Sequence, residues 1–219
     1  LSIILIVAGY ENAYAGARSP TPRIWAHKSS IANLPLDGVN LSPFAMFGER
    51  HAASVPSSHQ ATIGVMCHEL GHLMLGLPDL YDRDGSSAGI GDWCLMAGGS
   101  WNYTGSFIGD TPSLFSAWCK SKTGILDPLD IAATTSGVQV LRATDNASVK
   151  RIWIDRYKNG EHFLVENRQL SGYDAGLPGN GLMAWHIDSK VLTQNDVESR
   201  KLVDLEEADA ANGVEDARC

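Results

Sequence analysis

The chain has 219 residues, 44% of them apolar and 19% charged, enough apolar material for one or two packed cores and too much for a disordered polypeptide. Its formal charge of −8 argues against a surface of clustered Lys and Arg that neutralises phosphates, so no nucleic-acid partner is expected.

Leu1–Ala8 (LSIILIVA) is the most hydrophobic run. It falls far short of the ~20 residues that cross a bilayer and has no basic flank like that of a signal peptide. It is predicted as a buried β-strand, and no transmembrane segment is expected elsewhere. Because the first residue is Leu rather than Met, the chain reads as a processed form or a piece of a longer protein, with targeting information upstream. Strand-like runs follow at Arg23–His27 and Pro43–Phe47. Ser57 and Ser58 then offer good N-caps, and HQATIGVMCHELGHLML predicts a helix of about 17 residues before the Gly76-Leu77-Pro78 stop.

After Asp127-Pro128 the pattern changes to short alternating runs at Gly137–Arg142, Val149–Asp155, His162–Asn167 and Gly181–Ile187, separated by turn residues. The fold class expected is α+β, with a mixed region over 1–127 and a β-rich region over 128–219. Asp196–Cys219 carries a net five of the eight negative charges, which suits a solvated surface or terminus, or part of a calcium site. Cys67, Cys94, Cys119 and Cys219 lack paired CxxC spacing; disulfides or buried thiols are expected in place of a thiolate metal site.

The strongest chemical signal is Cys67-His68-Glu69-Leu70-Gly71-His72, an HExxH pattern inside the predicted helix. Residues four apart on a helix differ by about 40° in direction, so His68 and His72 project side by side and can hold one zinc ion through their imidazoles. Glu69, beside the first ligand, can reach a metal-activated water as general base. The helix stops in Gly76-Leu77-Pro78-Asp79-Leu80-Tyr81-Asp82, where the chain turns and carboxylates follow. Downstream, Asp92-Trp93-Cys94-Leu95-Met96-Ala97-Gly98-Gly99-Ser100-Trp101 places a methionine ahead of a double-glycine turn, similar to the Met-turn under the zinc of metzincins.

CHELGH, GLPDLYD and WCLMAGGSW together resemble the immune-inhibitor-A-like family of secreted bacterial zinc metallopeptidases, which are metzincin-like. Phe44–Glu49, Glu166–Gln169, Gly181–Asp188 and Val203–Asp209 extend the resemblance through most of the chain. It implies a zincin/metzincin-like catalytic domain over 1–127, with a twisted sheet and long active-site helix, and a β-rich extension over 128–219 that continues in the full-length protein. It further implies that His68, His72 and Asp79 bind catalytic Zn²⁺, that Glu69 polarises water and that Met96 sits in the Met-turn. Secretion, an upstream propeptide, stabilising Ca²⁺ and protein or peptide substrates are implied with them.

One spacing departs from the metzincin pattern. The helix-ending glycine stands four residues after the second histidine instead of three, and Asp79 seven after it instead of six. An extra helical residue turns the exit by about 100°, which a π-bulge would absorb; otherwise Asp82 or a distant carboxylate would be the third ligand. Asp82-Arg83-Asp84-Gly85-Ser86-Ser87 has carboxylates at alternate positions, either a fragment of calcium-loop chemistry or an ordinary Asp-Gly turn. His186 and Asp188 share a strand face and are candidates for a hydrogen-bonded pair near the cleft; Tyr81 and His186 are candidate oxyanion stabilisers. Substrate is expected to lie extended beside Phe44–Glu49. The leading expectation is a zinc-dependent endopeptidase. The alternative is a non-catalytic, calcium-stabilised surface or adhesion module retaining a zincin scaffold, and a metal-dependent amidase or aminopeptidase is a nearer one.

Overall fold

Apolar side chains alternating along one strand build the first sheet. In Val39–His51 (β4), Ala45 and Phe47 turn to one face and are buried, 0% and 1% exposed. A computed structural model describes residues 2–142, 148–154, 157 and 160–206. Ile3–Glu11 (β1) lies parallel to β4, and a short helix, Asn12–Ala15 (α1), leads towards Arg23–Ile24 (β2), parallel to the end of β1. His27–Leu36 (β3) forms an antiparallel hairpin with β4 through Asp37 and Gly38. The sheet order is β2-β1-β4-β3, and His59–Gln60 (β5) pairs with the end of β4.

The apolar first strand is not buried as expected. Ile4, Leu5 and Ile6 are 51%, 41% and 63% exposed. β2 reaches only Tyr10 and Glu11, so the first half of β1 is a sheet edge among the described residues, and hydrophobicity alone does not cover it. The end of β1 is fixed differently. Glu11 is fully buried, and its carboxylate accepts the amides of Ala13, Ala26 and Gly48 at 3.0, 2.9 and 3.0 Å. Glu11→Ala leaves three donors, those of Ala26 and Gly48 buried, without their acceptor and is expected to destabilise the fold by about 3 kcal/mol, measured by urea unfolding. Glu11→Gln, which keeps one acceptor oxygen, should cost less.

The long helix also starts later than its sequence suggests. Val55–Ser57 is a single 3-10 turn with Ser54 in a capping box, β5 follows, and the helix proper is Ile63–Leu75 (α2), about 20 Å long. Pairing of Arg50 and His51 with Gln60 and His59 holds the intervening residues extended, so Ser57 and Ser58 do not cap α2. Its first amides look instead to the loop before residue 110, where Gly64 N donates to Gly109 O at 3.1 Å. Val65, with partly buried Met66, Leu70 and Leu73, seats α2 against Ala26, Ala45 and Phe47.

Ala117–Lys122 (α3) precedes the second sheet, made of Leu129–Asp130 (β6), Lys150–Trp153 (β7), Glu161–Arg168 (β8), Gly181–Asp188 (β9) and Val203–Leu205 (β10). Its order is β10-β9-β8-β7-β6, antiparallel except for β6 and β7. No strand forms over 137–142; β7 begins at Lys150 opposite Val165, and beyond that end of the pairing Arg142 makes an isolated bridge to Asn167. Part of the acidic end is ordered as β10, with Val203 fully buried, while residues 207–219 lie outside the described residues. The larger apolar cluster draws on Leu77, Leu80, Ile90 and Met96 and on Leu164, Trp185, Ile187 and Val203, on both sides of residue 127.

Beside that cluster lies a buried ionic group. Glu166, Arg168 and Asp174 are 0% exposed, Lys120 Nζ is 2.9 Å from Glu166, and Arg168 pairs with both acids. Trp185 Nε1 and the Ala117 amide donate to Glu166 as well. The mixed composition is thus the one expected of an α+β chain. No helix of the described residues is long and apolar enough to cross a membrane.

Candidate metal centre

On α2, His68 and His72 present their rings one turn apart, with centroids 4.6 Å apart. Each ring is oriented from behind. His68 Nδ1 lies 2.9 Å from the Leu95 carbonyl, and His72 Nδ1 lies 2.6 Å from the Leu77 carbonyl. A carbonyl oxygen only accepts, so both Nδ1 atoms carry the proton and a neutral ring leaves its Nε2 lone pair free. The two Nε2 atoms face each other at 3.0 Å, and Asp79 Oδ1 stands 3.1 Å from one and 3.0 Å from the other. Two lone pairs and a carboxylate at such distances repel unless a cation lies among them. The nitrogen–nitrogen–oxygen set fits zinc, and the carbonyl partners are the outer-shell orientation common at such sites.

Asp79 reaches the histidines through a widened helix end. Gly76 adopts a left-handed conformation, φ 64°, and its amide bonds back to the carbonyls of Gly71 and His72. The Leu77 amide then reaches the Gly71 carbonyl at 3.3 Å, one residue further than an ordinary Schellman closure spans. That wider loop takes up the extra residue and turns the chain so that Asp79 faces back to α2. Asp82 faces away. Its carboxylate accepts the amides of Asp84 and Ser87 and the Ser86 hydroxyl.

Met96, fully buried, lies beneath the helix. A Cβ on Gly71 would stand 2.5 Å from Met96 Sδ, so only glycine lets the helix settle this close. The Met96 segment also supplies the Leu95 carbonyl to His68 and takes the Leu80 amide on the Met96 carbonyl at 2.8 Å. It therefore braces both the first histidine and the turn bearing Asp79.

Glu69 is 8% exposed and faces the same cleft. Burial pushes its carboxyl above the ordinary value, against the pull of His68 and His72. Burial would raise the Asp79 carboxyl too, but the His68 and His72 rings, when each also carries a proton on Nε2, prevail and hold it well below the usual carboxylate range. Tyr81, at the cleft, is pushed up to about 12 by burial and then by the Asp79 charge.

Two cavities of about 360 and 300 Å³ adjoin His68 and Glu69. Trp25, Ala26 and Tyr81 line both; the first adds His27 and Lys28, the second Val65, Ala97 and Trp101. The strand beside the cleft is β3. Phe44–Glu49, expected to receive substrate, lies in β4, where β1 pairs along Phe44–Gly48 on one side and β3 takes Phe44–Met46 on the other, whereas β3 is an edge strand among the described residues. His186 pairs with Glu161 at 3.1 Å and faces Glu206, Asp188 pairs with Arg200, and neither lines the cleft. Asp82, Asp84 and Glu198 bring carboxylates together elsewhere, beside the Arg83–Asp196 ion pair. No pattern of residue types marks Glu11, which anchors the Ala26 wall, or the Leu77 and Leu95 carbonyls, because these depend on chain proximity rather than residue type.

A sequence model of the immune inhibitor A peptidase M6 catalytic domain matches residues 2–124. Immune inhibitor A of Bacillus thuringiensis subsp. alesti is 32% identical over 120 residues, covering 52% of this chain and 17% of that protein. The pre-pro-metalloprotease PrtV of Vibrio cholerae is 34% identical over 102 residues, covering 44% of this chain and 11% of PrtV. The matched stretches thus span less than a fifth of the length of these curated relatives.

Proposed function

Because the chain belongs to the immune inhibitor A peptidase M6 family, we propose that it acts as a secreted, zinc-dependent endopeptidase on protein or peptide substrates. It would comprise a zincin/metzincin-like catalytic domain over 1–127 and a β-rich extension over 128–219. The observation that carries the reading is the convergence of His68 Nε2, His72 Nε2 and Asp79 Oδ1 in a cleft that also holds Glu69. His68, His72 and Asp79 would hold the zinc, and Met96 would be the Met-turn residue beneath it. Bound there, zinc would polarise the scissile carbonyl and acidify a water molecule.

The remaining steps belong to the chain's own groups. A substrate strand adds to the free edge of β3, gaining main-chain hydrogen bonds near His27 and Lys28. Glu69 accepts a proton from the attacking water and returns it to the leaving amine nitrogen. Burial favours this role, since a raised carboxyl pKa lies closer to neutral pH. The Tyr81 hydroxyl donates to the oxygen that gains negative charge as the tetrahedral centre forms. Tyr81→Phe is expected to lower kcat roughly 10²-fold with zinc content unchanged, as measured by steady-state kinetics beside metal analysis. A stabilising calcium would sit at Asp82, Asp84 and Glu198, whose carboxylates are hard oxygen donors. Export is supported by the name of the Vibrio relative, a pre-pro-metalloprotease.

The test is hydrolysis of an unfolded protein, with products mapped by mass spectrometry. Internal cleavage, lost on treatment with 1,10-phenanthroline and restored by zinc, is the expected result. Removal of single terminal residues would indicate an aminopeptidase, and activity persisting in metal-free protein would exclude a catalytic metal.

A further inference from the structure

Cys94 and Cys119 meet in the core, 25 residues apart in sequence, with Sγ atoms at 3.8 Å. Both are 0% exposed and are unbonded thiols in this structure. Cys94 follows the 3-10 turn Gly91–Trp93 and stands two residues before Met96; Cys119 lies on α3. The amides of Met96 and Ser116 point at Cys94 Sγ from 3.4 and 3.3 Å, so the backbone on both sides of the pair is held around that sulfur. Nothing in the cleft uses either thiol.

We infer that Cys94 and Cys119 are a disulfide site that, once oxidised, ties the segment under the metal-binding helix to α3. The sulfurs are in contact and come from two separate elements, and side-chain rotation closes the remaining gap. The bond would clamp the Leu95–Met96 stretch, whose carbonyls bind His68 Nδ1 and the Leu80 amide. Cys67 is the other described cysteine and is half-buried on α2; Cys219 is outside the described residues.

The chemistry is thiol–disulfide exchange with a small disulfide such as oxidised glutathione. One cysteine thiolate attacks a sulfur of the oxidant, its S–S bond breaks, and one reduced thiol leaves. The second cysteine thiolate attacks the mixed disulfide, forms the protein S–S bond and expels the second thiol. Two cysteine thiols are oxidised, the oxidant becomes two thiols, and the two protons pass to the leaving thiolates. Because both sulfurs are shut off from solvent, the exchange belongs to folding, before the core closes. It needs an oxidising compartment, in agreement with the export proposed above.

The experiment refolds the full chain in a glutathione redox buffer and in reductant, then unfolds each sample in alkylating reagent and maps the peptides. The oxidised sample should yield one linked Cys94–Cys119 peptide pair, two hydrogens lighter than the separate peptides. Its Tm should lie on the order of 10 °C above that of the reduced sample. Cys67→Ser should leave the linked pair unchanged, and Cys119→Ala should abolish both the pair and the Tm difference. Alkylation of Cys94 and Cys119 in the oxidised sample, or linkage of either to Cys67 or Cys219, overturns the assignment. If Cys119→Ala does not fold, the peptide map of the unaltered chain still decides. These readouts are independent of peptidase activity, so failure of the disulfide and failure of the proposed function remain distinguishable.

Discussion

Replacing Glu69 with Gln is expected to lower turnover of an unfolded protein substrate about 10²–10⁴-fold while zinc content stays at the level of the unaltered chain. The size follows from the role. Gln has nearly the same shape, so the cleft between α2 and β3 keeps its walls, but an amide cannot accept a proton from water at neutral pH. The unaltered metal content follows from the geometry, because the convergent donors are His68 Nε2, His72 Nε2 and Asp79 Oδ1, and Glu69 is not among them. This variant also separates the enzyme from a non-catalytic surface module that merely keeps the scaffold. Such a module would need the histidines to hold metal and would lose nothing with Glu69. Equal hydrolysis by both proteins at equal zinc content would falsify the proposed mechanism.

Asp79→Asn is expected to weaken zinc binding by at least about 100-fold, more than the loss usually seen when an outer-shell partner of a ligand is removed. The variant keeps an oxygen in place and loses the negative charge that balances two imidazoles and a dication. Asp82→Asn is the control. Its carboxylate is engaged with the Asp84 and Ser87 amides at 2.9 and 2.6 Å, so the substitution should loosen that loop and leave zinc affinity nearly unchanged. Competition with a chromogenic chelator measures both. If Asp82→Asn costs more zinc affinity than Asp79→Asn, the third ligand must be reassigned to Asp82.

The two substitutions also mark how far residue order alone carries. His68, Glu69 and His72 were legible because helical periodicity fixes their relative directions whatever the rest of the chain does. Asp79 was ambiguous. The extra residue before it predicts a rotated exit, and only the widened closure at Gly71, Gly76 and Leu77 shows how that rotation is absorbed. Met96 was readable by its place before two glycines, but its contact with Gly71 is a matter of packing. Glu166 and Arg168 are two apart on β8 and so share a face; alternation announced the strand but not that the charged face would be buried with Lys120 and Asp174. His186 and Asp188 likewise share a strand face, yet Glu161 and Arg200 claim them.

Hydrophobicity misled most at β1, where a run of Ile and Leu reads as buried. Burial depends on neighbours, and β2 covers only its last residues. The helix starts later than its capping residues suggest for a related reason: Ser57 and Ser58 compete with a strand pairing, His59–Gln60 on β4, that is not local in sequence. By itself, then, the amino-acid order determined that His68 and His72 lie side by side with Glu69 next to the first, that Met96 precedes two glycines, and that mixed structure gives way to β-rich structure. All of these follow from local spacing, composition and a motif resemblance. Tertiary structure decided the return of Asp79 to the histidines, the choice of β3 over β4 as the open edge beside the cleft, the burial of Glu11 and the contact of Cys94 with Cys119. Each of these brings together groups far apart along the chain, and no local periodicity encodes such a meeting.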